Sequence, residues 1–147
     1  MNTNSKVLLE TNLKNRYNQT YQWIKAIKQF EQELVHLRKI IENRIHTKCD
    51  SDCDHKTIYR NIDTVLYQVS EDLIFDLVKH AKTINTVIYA QVFLNVEDLN
   101  LRHIHLFEKM ELLHNSIENL RVSIMKFIED RPYEFEEFKD LNLKLDL

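Results

Sequence analysis

The 147-residue chain contains no glycine. Average usage is about 7 %, so roughly ten glycines would be expected at this length. Glycine serves where the backbone needs a positive φ or must approach a ligand closely. Without it the chain has none of the usual Asn-Gly or Asp-Gly hairpin turns. It also lacks every glycine-rich phosphate cradle, the dinucleotide fingerprint and the nucleophile elbow. Proline is almost as scarce, with Pro132 the single example, so nothing upstream of it interrupts a helix by proline chemistry. Both absences favour long helices and remove several large enzyme classes.

Long hydrophobic runs are missing as well. No stretch of about 18 apolar residues exists, and no membrane span is expected. The opening Met-Asn-Thr-Asn-Ser-Lys has no apolar signal-peptide core, Asn2 excludes myristoylation, and no prenylation cysteine stands at the end. Only two cysteines occur, Cys49 and Cys53. The expected compartment is a reducing cytoplasm.

What is present is apolar material and charge in ordinary proportion, 44 % hydrophobic and 29 % charged, with a net charge of −3. That composition supports one folded domain spanning residues 1–147. An acidic chain is a poor nucleic-acid binder, and no nucleic-acid partner is expected. The charge is uneven: residues 1–46 carry eight Lys/Arg against four Asp/Glu, whereas 132–147 carry two against five. The basic first segment reads as a solvated face or one complementary to the acidic tail.

The hydrophobic pattern is helical throughout. Trp23, Ile27, Phe30, Leu34, Leu37 and Ile41 recur at spacings of four and three, which keeps one seam turned toward neighbouring helices. Ile24, Ile40 and Ile45 widen that seam toward a multi-helix core. Leu9, Leu13 and Tyr17 extend it upstream, across a set of weaker helix formers, Asn15, Asn18 and Thr20, that would allow a break. A second helical region runs from about Ile58 to about Phe93, with Ile62, Leu66, Val69, Leu73, Leu77, His80 and Ile84 on one side. Ser70-Glu71-Asp72 would be a helix start within it. The β-branched and aromatic stretch 83–96 has strand propensity, but no turn brings a second strand to pair with it. After Asn95 the cleanest seam follows: Leu99, His103, Leu106, Met110, Leu113, Ile117, Leu120, Ile124 and Phe127. Arg131-Pro132 ends it. The expected fold is therefore all-α: an elongated antiparallel bundle of three long helices, or four if one is broken, followed by a short helical tail over 132–147.

Between the first two helical regions lies the polar stretch 46–57. His46, Cys49, Cys53 and His55 place four nitrogen and sulfur ligands within ten residues, the donor types that tetrahedral zinc takes. The spacing is not that of a standard finger, since the Cys-x-His half is cramped. A zinc site, a redox-active thiol pair and a solvated polar turn all fit these residues. Asp50, Asp52 and Asp54 start like a calcium loop, but His55 stands where glycine is needed and Asn61 where a bidentate glutamate is needed. Two Glu-x-x-His pairs, Glu33/His36 and Glu111/His114, have the spacing of di-iron bundles, yet Leu34, Leu37, Met110 and Leu113 hold the inward positions. His103 and His80 fall on the apolar seams and read as core histidines. No Ser/His/Asp arrangement has defensible spacing, so no catalytic residue and no cofactor-binding residue is assigned.

A first-helix tryptophan, Trp23, together with three heptad helices resembles a spectrin-type repeat; this likeness implies a fold and no activity. The expected function is non-catalytic contact with a protein partner or with a second copy, since long bundles expose faces on which a partner helix can lie. The alternative is a metal-binding or thiol sensor centred on residues 46–55.

Overall fold

A computed structural model describes the backbone over residues 3–48, 54–67, 72–90 and 96–130, and the side chains over 4–42, 56–67, 72–90 and 96–130. Four helices occupy these residues: α1 (Thr3–Lys48), α2 (Asp54–Tyr67), α3 (Ile74–Ala90) and α4 (Val96–Glu129). The fold is an all-helical bundle, and no strand occurs among the described residues.

Three buried clusters fix the arrangement. At one end Leu37 and Ile41 of α1 pack with Ile58 and Ile62 of α2 and with Ile124 and Phe127 of α4. In the middle Ile24 and Ile27 meet Leu73 and Leu77, together with Leu106, Met110 and Ile117. At the far end Leu13, Ile84 and Leu99 form a small third cluster. The order of these contacts makes α2 and α3 run back along α1 in succession. It makes α4 return parallel to α1. The architecture is up–down–up, with its middle element broken in two.

α2 ends at Tyr67 and α3 begins at Ile74; of the expected helix start Ser70-Glu71-Asp72, Ser70 and Glu71 lie outside the described residues. Asp72 and Leu73 form a wider π-type turn ahead of α3. This is the four-helix form of the expected bundle. The break near Thr20 does not occur. α1 runs unbroken for 46 residues, about 69 Å at 1.5 Å per residue. Thr20 is fully buried, and its hydroxyl donates to the Arg16 carbonyl at 2.8 Å, so a weak helix former is satisfied within its own turn. Tertiary packing on both sides outweighs the propensity of Asn15 and Asn18.

Residues 83–90 are helical. The hydroxyls of Thr83 and Thr86 donate to the carbonyls of Lys79 and Lys82, each at 2.9 Å. In α4 all nine seam residues from Leu99 to Phe127 are buried. Glu97 and Asp98 stand in its first turn and Lys126 in its last, each sign matching the helix dipole. The Asp130 amide still donates to the Lys126 carbonyl at 2.9 Å. The expected tail helix over 132–147 lies outside the described residues.

Candidate functional site

α1 continues to Lys48 and α2 begins at Asp54, so both helices reach into the polar stretch 46–57. His46 and His55 therefore belong to helix ends that meet at one end of the bundle. Their side chains, and Cys49 and Cys53 altogether, lie outside the described residues. Among the described residues no three His, Cys, Asp or Glu side chains come together in a metal-holding group. The Glu-x-x-His pairs do not converge. His36, Glu111 and His114 are exposed, while Glu33 is engaged by an arginine.

That arginine, Arg121 of α4, is a feature the sequence does not announce. Its side chain is 5 % exposed and that of Glu33 13 %. Nε donates to Glu33 Oε2 at 3.1 Å and Nη2 to Oε1 at 3.3 Å, the forked geometry that suits guanidinium and carboxylate. Nη1 donates to Glu118, and the guanidinium lies 5.4 Å from the centre of the Phe30 ring. Four residues after Ile117 and three before Ile124, Arg121 sits on the edge of the seam, with its partner Glu118 one helical turn earlier. A second tie joins α1 to α2: Arg38 Nη2 donates to the Tyr59 hydroxyl at 2.8 Å and lies 3.4 Å from Asp63.

The other interior polar group is a histidine pair. His80 of α3 and His103 of α4 are both buried, with His80 Nε2 3.1 Å from His103 Nδ1. His103 Nε2 lies 2.7 Å from the Gln19 side-chain oxygen of α1. That oxygen can only accept, which makes His103 Nε2–H a donor, leaves its Nδ1 as an acceptor, and assigns the shared proton to His80 Nε2. Trp23 stacks on the His103 ring at 4.8 Å. Burial lowers the His80 pKa from its ordinary 6.5 to about 4, helped by His103, Arg102 and Arg16. Burial, then Arg16, lowers that of His103 as well. A neutral pair with this proton arrangement links α1, α3 and α4 through one chain of hydrogen bonds. His80 Nδ1 is left buried without a hydrogen-bond partner.

The outer surface of α4 carries a second apolar stripe. Leu101, Ile104, Leu112 and Val122 are 65 %, 54 %, 68 % and 66 % exposed. With Glu108, Asn115 and Asn119 between them they follow spacings of three and four along the side away from the core. Phe107 extends the stripe toward α1, where its ring lies 6.1 Å from Trp23. On the α3 side Leu112 borders an open groove of about 290 Å³ lined also by Asp72, Leu73, Asp76 and Lys109; Lys109 pairs with Asp76 at 3.7 Å. The sequence signal for this stripe is present but is overshadowed by the cleaner buried seam of the same helix.

Among the described residues no helix is long and apolar enough to cross a membrane. Compared with protein-family models, curated proteins and solved structures, the chain matches none. The functional reading rests on its own residues.

Proposed function

We propose that the protein is a non-catalytic helical interaction module of the cytoplasm, and that the outward face of α4 is its contact surface. The observation that carries this reading is the exposed stripe Leu101, Ile104, Leu112 and Val122 on a helix already buried along its opposite side. Single exposed apolar residues are ordinary, but here Leu101 and Ile104 are neighbours on one face that Leu112 and Val122 continue between polar residues. Full cover of one such aliphatic side chain contributes about 1.5–3 kcal/mol, so a partner helix lying along the stripe gains from each in turn. This is helix-on-helix recognition, in which anchors repeat every three or four residues.

The interior polar groups suit a structural task. Arg121 is held by Glu33 and Glu118, and His103 by His80 and Gln19. Each cluster ties helices together and fixes their register, the best attested use of polar groups inside a bundle. A bundle held in this way offers α4 as a stiff platform, and a stiff surface loses little entropy on binding. The bound element belongs to another protein or to a second copy.

The test compares proteins retained from source cells by the wild type and by Leu101→Ser/Ile104→Ser/Leu112→Ser, quantified by mass spectrometry. A partner held by the wild type and lost from the variant, with helical content unchanged, supports the reading. An identical set of retained proteins contradicts it.

A further inference from the structure

We infer that the α4 face takes a basic amphipathic helix from another protein. The inference rests on the interaction reading above and names the partner's chemistry.

The apolar stripe is set in negative charge. Over residues 96–130 six carboxylate side chains are exposed, Glu108 and Glu111 among them, against two exposed cations, Arg102 and Lys126. Glu108 lies within the stripe itself, between Ile104 and Leu112, and Glu111 lies beside Leu112. Across the neighbouring groove stands Asp72, in the turn ahead of α3, also exposed. Lys109 is paired with Asp76 at 3.7 Å, and the exposed cations Arg102 and Lys79 line the next groove along with it. An occupant must therefore present apolar side chains at helical spacing and positive charge beside them.

A second copy of this chain does not meet that requirement. A second copy presents the same face, on which exposed carboxylates, Glu108 and Glu111 among them, outnumber the exposed cations Arg102 and Lys126. Like charges brought together in a partly covered interface oppose association. The outward face of α1 has the right sign, with Lys25, Lys28 and Lys39 exposed. It lacks the apolar stripe: between residues 9 and 42 of α1 Tyr21 is the one exposed large apolar side chain. A separate helix with Leu-type residues along one face and Lys or Arg at its flanks satisfies both demands. Its apolar side covers Leu101, Ile104 and Leu112, and its cations reach Glu108 and Glu111.

The experiment measures binding of two synthetic helical peptides of equal length, one built from Leu and Lys in heptad order and the other from Leu and Glu. Both are titrated by fluorescence anisotropy into the full chain, into Leu112→Ser, into Glu108→Lys/Glu111→Lys and into the control Lys25→Glu/Lys28→Glu. The expected result is binding of the Lys peptide alone, weakened about tenfold or more by either α4 variant and unweakened by the α1 control. Added salt weakens it further. Equal affinity for wild type and Glu108→Lys/Glu111→Lys overturns the inference. So does preference for the Glu peptide; if Leu112→Ser abolishes that binding, the contact face stands and only the partner's charge is wrong. Binding of neither peptide, with a concentration-dependent dimer lost in Leu112→Ser, makes a second copy the occupant and also overturns it. If no α4 variant alters any association, the interaction reading falls together with the inference.

Discussion

His80 on α3 and His103 on α4 share one proton across the bundle interior, Nε2 to Nδ1 at 3.1 Å, and burial holds both rings neutral. The pair closes a chain from α1 to α3 through Gln19. It makes the stability of the bundle depend on pH in a definite direction.

The folded pKa of His80, about 4, lies below its ordinary 6.5. The unfolded chain therefore binds more protons in the interval between these values. The contribution of His80 to stability is fully present above about pH 6.5 and is lost progressively as pH falls toward 4. The full interval corresponds to about 3 kcal/mol. His80→Gln keeps a donor for His103 and cannot titrate. Urea unfolding from pH 7.5 to 4 should show a steeper loss for the wild type than for the variant, and equal slopes would contradict the assignment.

Arg121 and Glu33 form a nearly buried pair. Removing one partner strands the other charge, and Arg121→Met is expected to cost about 3–5 kcal/mol. The double variant Arg121→Met/Glu33→Leu should recover most of that loss, because an apolar pair of similar volume needs no counter-charge. Chemical denaturation of the two singles and the double gives the coupling directly.

The clusters predict where the bundle opens first. Among the described residues the end cluster has Leu13, Ile84 and Leu99 as its buried members, whereas the cluster around Leu37 and Ile124 has more. Leu13→Ala, at a fully buried position, should cost about 2–5 kcal/mol. Hydrogen exchange is expected to accelerate first in the opening turns of α1, with protection around residues 34–41 retained.

Much of this organisation is legible in the chain. The seam from Leu99 to Phe127 reads directly as one buried face, since three- and four-residue spacing survives over the whole helix. The four-helix form is one of the two that the sequence allows, and spacing alone does not choose between three helices and four. The continuity of α1 through Thr20 is not legible, because propensity argues for a break and the packing that overrides it comes from distant residues. His80 and His103 each read as seam residues, but nothing local says that positions 23 apart on two helices meet. Arg121 is not singled out by the sequence, because its burial depends on Glu33, 88 residues away. The α4 stripe escapes notice for a related reason: Leu112 and Leu113 are adjacent leucines, and only the fold separates their roles.

Those two leucines give a direct contrast. Leu112 is 68 % exposed and Leu113 7 %. Leu112→Ser should change stability by no more than about 0.5 kcal/mol. Leu113→Ser removes a core side chain and buries a hydroxyl, at an expected cost of about 3 kcal/mol or more. Thermal melts of the two variants separate a contact surface from a core position.

The outward face of α4 is proposed to meet a partner helix. The most direct measurement places a photo-crosslinking residue at position 112 of the full chain, or at position 28 on α1 as a control, in source cells. A discrete crosslinked species from position 112 and none from position 28 is the predicted result. No adduct from position 112, or the same adducts from both positions, would contradict the claim.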